Sequence, residues 1–373
     1  MKLVSILGSP APYTTPILNA LAARVDLHCI FLAAEDRVSR FEDSWGVEPC
    51  FTHVVHWARR IDVPSVDLHL ELSAGVSRGI ARLRPDAIML VSWNPAGLEP
   101  LLWSRWSGSA AIMWSESTSF SGLLREPVST RIRRLLARTF DGYVTNGSQA
   151  AAYLEELGVE PSRIVTSALP AGQVPSTTAR ARPAAAGEVR FLFVGRLLPQ
   201  KRPLELIEAF TDVHEAVPTA TLAIVGTGGV EDAVRRAADS SPGVDYLGYR
   251  EGAELASIYA ESDVLVLPAV REVWAIVVNE ALSHGLFVVT TDQVGSAYDL
   301  IDESNGVVLA ADDFAALSPA LVEVAHAVDT SDAARARRAA TVASCTPERF
   351  AADIERAAEG ALLVRAGRWR GRA

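Results

Sequence analysis

The stretch Arg271-Glu-Val-Trp-Ala-Ile-Val-Val-Asn-Glu-Ala-Leu-Ser-His-Gly285 decides the fold predicted for the second half of the chain. Two acids, Glu272 and Glu280, bracket an almost wholly apolar run. Strand-like runs over 263–268 and 287–291 flank it, which predicts a strand, a loop, a short buried helix ended by glycine, and a second strand. Because a buried carboxylate needs a partner, Glu280 is expected to bind a protein hydroxyl, an arginine or the hydroxyls of a ligand.

A cationic loop follows an earlier predicted strand over 189–194. The loop reads Gly195-Arg-Leu-Leu-Pro-Gln-Lys-Arg-Pro203, and loops that follow the strands of a parallel sheet face ligands. Arg196 offers a planar fork of donors and Lys201 a movable point charge. Both can bind an anionic group. The simpler alternative is a pair of surface cations.

These two motifs together resemble the retaining family 4 glycosyltransferases, which carry two glutamates separated by seven residues. The resemblance is specific over 188–310 and extends to the first half only as a rhythm of strands and helices. It implies an α/β chain with the GT-B fold. In that fold, two Rossmann-like doubly wound domains face each other across a cleft that holds a nucleotide sugar.

The resemblance also implies roles for residues of the second half. Glu272 would hold the hydroxyls of the donor sugar, and Glu280 those of the ribose. The other implied donor-binding groups are Gly195, Arg196, Lys201 and the amides of Ala275, Ile276 and Val277 for the diphosphate, and Tyr249 and Arg250 for the base. A helix start suits an anion on general grounds. Family members often carry Gly where this chain has Ala275.

The first half ends three of its predicted strands in loops that form the expected acceptor side, namely 8–16, 92–97 and 115–119. Many family members carry a His that contacts the donor sugar where this chain has Trp114-Ser-Glu-Ser-Thr118. Glu116, as a catalytic residue, or Ser115 is therefore expected to replace it. The alternative for Glu116 is a solvated loop acid or a helix cap. Gly8 either brings backbone close to a phosphate or makes an ordinary tight connection.

The amino-acid composition changes at residues 168–187, which are rich in Pro, Ala, Gly and Thr. This shift predicts a linker between two domains. The predicted segments are an N-terminal acceptor-side domain over 1–170, a linker over 171–187 and a C-terminal donor-binding domain over 188–349. In GT-B proteins the last helix returns to the first domain, and the resemblance implies the same for 350–373.

Three further segments carry local predictions. Apolar residues at helical spacing predict a helix over 67–83. The arginine-rich stretch 125–138 could touch an anionic membrane or a phosphorylated acceptor, but a solvated helix face is the preferred interpretation. The terminal arginines from Arg365 onward are expected to form a disordered tail.

Composition also sets limits on the class of protein. The chain has 373 residues, of which 49% are hydrophobic, and a net charge of −10, which argue for two domains and against a general nucleic-acid binder. Cys29, Cys50 and Cys345 show no spacing pattern, as expected in a reducing compartment without a metal site. No segment reaches the ~20 apolar residues of a membrane span, and the N-terminus lacks a signal peptide. A cytoplasmic protein without a cofactor is predicted.

The predicted function is metal-independent, retaining transfer of a sugar from a nucleotide-diphosphate sugar to an acceptor hydroxyl. The chain contains no Asp-x-Asp, the usual metal-chelating signature of the other glycosyltransferase architecture. Two alternatives stay open. A nucleotide-sugar epimerase of the same architecture would turn over without an acceptor, whereas a non-catalytic nucleotide-sugar-binding protein would bind the nucleotide without transfer or hydrolysis.

Overall fold

The structure is a computed structural model. It describes residues 1–8, 11–33, 48–63, 68–91, 93, 95–120, 127–171 and 188–370, without the side chains of 60–72, 127–129 and 368–370. The chain forms two compact units: Met1–Pro170 with Thr346–Ala373, and Ala171–Cys345. The predicted linker beyond Ala171, parts of the loops 8–16 and 92–97, and Arg125 lie outside the described residues.

The first unit is built on a parallel sheet. Its strands are β1 Lys2–Leu7, β2 Asp26–Ala33, β3 Thr52–Trp57, β4 Arg59–Val63, β5 Leu68–Leu72, β6 Ala87–Val91, β7 Ala110–Ser115, β8 Gly142–Asn146 and β9 Ile164–Ser167. Seven of them pair in the order β3-β2-β1-β6-β7-β8-β9, while β4 and β5 form a separate antiparallel pair. The order reverses between β1 and β6, and such switch points bind ligands in open α/β sheets.

The second unit repeats the same plan. Its strands are β10 Arg190–Val194, β11 Thr221–Val225, β12 Val244–Gly248, β13 Val264–Leu267, β14 Phe287–Thr291 and β15 Gly306–Leu309. They pair in parallel in the order β12-β11-β10-β13-β14-β15. The switch point lies between β10 and β13, with Leu192 opposite Leu265. The loops after these two strands carry the cationic motif and Glu272.

Helices connect the strands of both sheets. They are α1 Thr14–Ala22, α2 Val76–Leu83, α3 Leu98–Ser107, α4 Pro127–Ala137, α5 Gly147–Glu156, α6 Pro203–Ala216, α7 Glu231–Ser240, α8 Gly252–Glu261, α9 Ile276–Ser283, α10 Ala297–Leu300, α11 Leu317–Ala327, α12 Asp332–Thr341 and α13 Pro347–Arg370. The central strands of both sheets are buried along almost their whole length, as expected for parallel sheets covered on both faces.

The predicted helix over 67–83 is wrong in its first half. Residues Leu68–Leu72 form β5, and α2 begins only at Val76. The segment Leu68-His-Leu-Glu-Leu72 alternates apolar and polar residues, which is a strand pattern. Leu68, Leu72 and Val76 also lie four residues apart, and this spacing led to the prediction of a helix. Gly75, in the left-handed conformation at φ 84°, separates the two elements because few other residues adopt that geometry cheaply.

The predicted disordered tail is also partly wrong, because α13 extends the C-terminal helix to Arg370. Arg365 is buried and donates through Nη2 to the Ser104 carbonyl at 2.6 Å. At the other end of α13, Phe350 packs on Trp114, with ring centroids 4.9 Å apart. These contacts make α13 an integral part of the first unit.

Candidate functional site

The switch point of the second unit brings the cationic motif and the first glutamate together. Lys201 ends the short turn Pro199–Lys201 after β10, and Glu272 lies in the loop after β13. The distance from Lys201 Nζ to Glu272 Oε2 is 2.7 Å, and the two side chains are 13% and 18% exposed. Two charges this sheltered from water attract each other with less screening than a surface pair does. It lies where a ligand of this fold is expected.

The loop that carries Glu272 is held by the neighbouring chain. The Glu272 amide donates to the Gln293 carbonyl at 2.9 Å, and its carbonyl accepts from the Gly295 amide at 3.0 Å. A side chain at Gly295 would clash with the Val273 carbonyl. The backbone around Glu272 is therefore fixed on both sides, which presents its carboxylate in a defined place.

The glycine cluster 226–229 shapes the cationic loop. In the structure, side chains at Gly226 and Gly228 would clash with the backbone of Gly195 and Leu197, and the Leu197 amide donates to the Thr227 carbonyl at 2.8 Å. The glycines therefore serve the close packing of two loops. Arg196, in the supported loop, has an exposed side chain.

The start of α9 offers backbone donors near Glu272. Within the described residues, the amides of Ala275, Ile276 and Val277 donate to no acceptor, as expected for the first turn of a helix. Ala275, the residue before the helix, has φ 73° and ψ 79°. This left-handed conformation is strained for alanine, so the chain keeps a geometry that usually needs glycine. Free amides at a helix start form a favourable environment for an anion.

Of the partners expected for Glu280, the structure shows a protein hydroxyl, that of Tyr259. The Tyr259 hydroxyl, on α8, donates to Glu280 Oε2 at 2.9 Å, and both side chains are buried. Burial raises the pKa of the Glu280 carboxyl, and the Tyr259 hydrogen bond offsets part of that rise. Burial and then the Glu280 charge raise the pKa of the Tyr259 hydroxyl well above its ordinary value. Among the described residues, no side chain other than Tyr259 donates a hydrogen bond to this carboxylate.

His284 supports this pair from behind. It is fully buried, its ring stacks on Tyr259 with centroids 5.0 Å apart, and its Nδ1 lies 2.8 Å from the Glu280 carbonyl. The buried guanidinium of Arg335 donates to the His284 carbonyl at 2.8 Å and to the Ser262 carbonyl at 2.7 Å. The end of α9 is thereby fixed to the core, and with it the position of Glu280.

The two candidates for base recognition lie after β12. Tyr249 is exposed, and its hydroxyl donates to Glu251 Oε2 at 2.7 Å. Arg250 donates through Nη1 to the Tyr249 carbonyl at 2.8 Å and lies 3.6 Å from Glu254. Over the described residues, no direct contact joins Tyr249 or Arg250 to the Lys201–Glu272 pair.

In the first unit, Glu116 is part of a partly buried hydrogen-bond chain. Trp114 Nε1 donates to Asn146 Oδ1 at 2.7 Å, and Asn146 Nδ2 donates to Glu116 Oε1 at 3.1 Å. Because the indole can only donate, it fixes the Asn146 amide with its NH₂ group toward Glu116. Burial raises the pKa of Glu116, and the bond from Asn146 opposes that shift. The sequence analysis did not identify Trp114 and Asn146 as members of this hydrogen-bond chain.

Tyr13, Ser115 and Gly8 lie at the same edge of the first sheet. The negative charge of Glu116, followed by burial, raises the pKa of the Tyr13 hydroxyl, so the two side chains are neighbours. Ser115 is fully buried, and its Oγ has no hydrogen-bond partner in the described part of the chain. Gly8 is half-buried directly after β1. Glu116 is half-buried and accepts a hydrogen bond from Asn146. It is therefore not a fully solvated loop acid, which was one alternative interpretation of this residue.

The two Rossmann-like domains, each with candidate groups after its central strands, define a GT-B architecture. A model of the glycosyl transferase 4-like domain matches residues 8–170, and a model of glycosyl transferases group 1 matches residues 188–327. The chain therefore belongs to the glycosyltransferases of this two-domain type.

Individual relatives support the same class. The chain is 35% identical over 112 residues to the sulfoquinovosyl transferase SQD2 of Arabidopsis thaliana, which covers 30% of this chain and 21% of that protein. It is 34% identical over 137 residues to a GDP-mannose-dependent monoacylated alpha-(1-6)-phosphatidylinositol monomannoside mannosyltransferase of Corynebacterium glutamicum, covering 35% of this chain and 36% of that protein. These matches thus span only about a fifth to a third of each relative.

The fold is also similar to that of a solved structure. The crystal structure of Anabaena HepE in complex with UDP superposes with a TM-score of 0.73 at 17% identity, covering 95% of this chain and 99% of that one. Within the described part of the chain, no helix has the length and apolar character needed to cross a membrane.

Proposed function

We propose that the chain is a retaining, metal-independent glycosyltransferase that moves a sugar from a nucleotide-diphosphate sugar to an acceptor hydroxyl. The observation that carries this proposal is the Lys201–Glu272 ion pair at the switch point of the second unit. It combines a cation for the diphosphate with a carboxylate for the sugar hydroxyls. The free amides at the start of α9 supply further donors for the anion.

The leaving group explains why cations are needed here. As the glycosidic bond breaks, negative charge grows on the outer phosphate of the nucleoside diphosphate. Lys201 and Arg196, with the amides of Ile276 and Val277, would stabilise that charge without a metal ion. Lys201 is held in place by Glu272 before the donor binds, so little reorganisation is needed when it meets a phosphate.

Each glutamate has a distinct proposed role. Glu272 would accept hydrogen bonds from the donor-sugar hydroxyls while it remains paired with Lys201. Glu280 would accept from the ribose hydroxyls through the carboxylate oxygen that Tyr259 does not use. A raised pKa does not prevent this role, since a protonated carboxyl can still exchange hydrogen bonds with hydroxyls.

The relatives indicate two candidate nucleotides for the donor. The solved relative binds UDP, and the corynebacterial relative is named for GDP-mannose, so both nucleotides are candidates. Tyr249 and Arg250 are proposed to contact the base. In the first unit, Glu116, Ser115 and Gly8 are proposed to line the side that receives the sugar and the acceptor. The free thiols of the described chain fit a proposed cytoplasmic location.

The test is a donor panel of UDP-glucose and GDP-mannose, with and without EDTA, followed by NMR of the released sugar. The proposal expects slow hydrolysis that retains the anomeric configuration and continues in EDTA. Inverted product, or activity lost with EDTA, would contradict the mechanism. An epimerised sugar formed without an acceptor would favour the epimerase alternative. Nucleotide binding without any turnover in the presence of acceptor extracts would favour the non-catalytic one.

A further inference from the structure

Helix α3 exposes large apolar side chains along its outer face. Leu98, Leu102 and Trp106 follow one another at intervals of four residues, so they lie along one side of the helix. Their exposed fractions are 42%, 64% and 88%. Single exposed apolar residues are ordinary, but an aligned set that ends in a nearly bare tryptophan is typical of an interaction surface.

Helix α4 adds both apolar groups and positive charge. Ile132 and Leu135 are 53% and 65% exposed, and three arginines on this segment are also exposed, namely Arg131, Arg134 and Arg138. Tryptophan and leucine beside arginine are the residues that anchor helices lying in the plane of a membrane surface.

The two helices lie on the same side of the sheet. Helix α3 connects β6 to β7, and α4 connects β7 to β8, and these three strands are adjacent and parallel. Right-handed crossovers in one direction place consecutive helices on one face. Arg105 near the end of α3 donates to the Thr139 carbonyl just after α4 at 3.4 Å, which confirms that the helix ends are neighbours.

We infer that the outer faces of α3 and α4, called here the α3–α4 surface, bind an anionic lipid bilayer. Charge complementarity selects this partner. The chain as a whole carries a net charge of −10, so an anionic bilayer repels most of its surface and attracts the arginines of α4. A second copy of this chain would instead bring these arginines against one another, which is unfavourable. The inference does not depend on the proposed transfer reaction.

The test is co-sedimentation of the full chain with vesicles. We expect binding to phosphatidylcholine vesicles that contain about one-third phosphatidylglycerol, and little binding to phosphatidylcholine alone. Binding should weaken as salt rises. The triple variant Arg131→Gln/Arg134→Gln/Arg138→Gln should partition about 100-fold more weakly. The variant Leu102→Ser/Trp106→Ser should bind the vesicles about tenfold more weakly or worse, because the apolar side chains that enter the bilayer have been removed.

Matched variants separate this surface from general effects. Arg236→Gln/Arg337→Gln/Arg349→Gln changes the net charge equally at exposed sites elsewhere, and Leu363→Ser removes an exposed leucine from α13. Both should bind vesicles like the original chain. The inference is overturned if anionic vesicles are not bound or if control and test variants lose binding equally. Sedimentation velocity that shows self-association abolished by Trp106→Ser, without vesicle binding, would identify a second copy as the partner instead.

Discussion

The Tyr259 hydroxyl lies 2.9 Å from Glu280 Oε2 in the interior of the second unit. A buried carboxylate in an apolar helix is costly unless it is hydrogen-bonded, and this hydroxyl meets part of that cost. The bond also fixes the direction of the carboxylate, since His284 stacks on the tyrosine ring. We therefore regard Tyr259 as a positioning residue for the proposed ribose-binding glutamate.

Replacing Tyr259 by Phe should weaken the binding of the nucleotide. The ring and its stacking on His284 remain, but Glu280 loses the donor that orients it. Removing a hydrogen bond to a charged group should weaken UDP or GDP binding about tenfold or more by calorimetry. A nucleotide that lacks both ribose hydroxyls should bind the variant and the original chain alike. An equal loss of affinity for both nucleotides would indicate general damage to the protein. Tyr298→Phe, which removes a tyrosine hydroxyl elsewhere, is the matched control and should bind both nucleotides like the original chain.

Lys201 and Glu272 should differ in what they contribute. Lys201→Met should lower both nucleoside diphosphate affinity and turnover, with kcat reduced by about 10²–10³ because one donor to the leaving group is gone. Glu272→Gln should keep the affinity for the diphosphate and lose turnover. Lys201→Arg should retain part of both properties, since it preserves the charge. Full nucleotide affinity in Lys201→Met would show that the diphosphate binds elsewhere.

Ala275→Gly should maintain or increase the stability of the chain. Ala275 holds φ 73°, a region in which an L-residue with a Cβ is strained by about 1 kcal/mol. Glycine removes that strain at the start of α9, although its flexibility in the unfolded chain offsets part of the gain. Calorimetry should therefore show an unchanged or raised melting temperature. A clear drop in melting temperature would mean that the Ala275 methyl group packs favourably, and the strain argument would fail.

The pH dependence of transfer should report on the Trp114–Asn146–Glu116 chain. We propose that ionised Glu116 accepts a hydrogen bond from a substrate hydroxyl, so that the rate falls as pH drops through its raised pKa. Asn146 lowers that pKa, so Asn146→Leu should move the acid limb of the pH–rate profile to higher pH. Trp114→Phe should shift it the same way, because the freed Asn146 amide can turn its oxygen toward Glu116.

Two further variants complete this test. Glu116→Gln should remove the acid limb, since the group that titrates is gone. Trp103→Phe alters a partly buried tryptophan of the same unit and should leave the profile unchanged. An acid limb that persists in Glu116→Gln would assign it to another group and would count against the role of Glu116.

Local pattern and loop chemistry predicted the arrangement of the second unit well. A glutamate between two strands and a lysine after a third were enough to anticipate two loops at one edge of the sheet, since parallel strands bring their carboxyl ends to one edge. The contact between Lys201 and Glu272 itself could not be derived, because it depends on which strands are neighbours. Tyr259 was not predicted as the partner of Glu280, because an aromatic residue within a helix usually packs in the core.

The first unit shows where local pattern fails. Trp114 and Asn146 lie on adjacent strands and resemble ordinary buried residues, and only the pairing of β7 with β8 gives them a common role. The polar Asn146 at a strand end was a usable signal. The apolar residues of Leu68–Leu72 fit both helical and strand spacing. The segment forms a strand because it pairs with the antiparallel strand β4.

The proposed contact between Lys201 and the diphosphate of the donor can be measured directly. Lys2 and Lys201 are the two lysines of the chain. Reductive methylation with carbon-13 would therefore label them and the N-terminal amine, with the positive charge retained. Titration with UDP or GDP should shift the Lys201 methyl signal, saturating at the dissociation constant found by calorimetry, while Lys2 stays unchanged. Nucleotide binding that leaves the Lys201 signal unmoved would show that Lys201 does not contact the diphosphate.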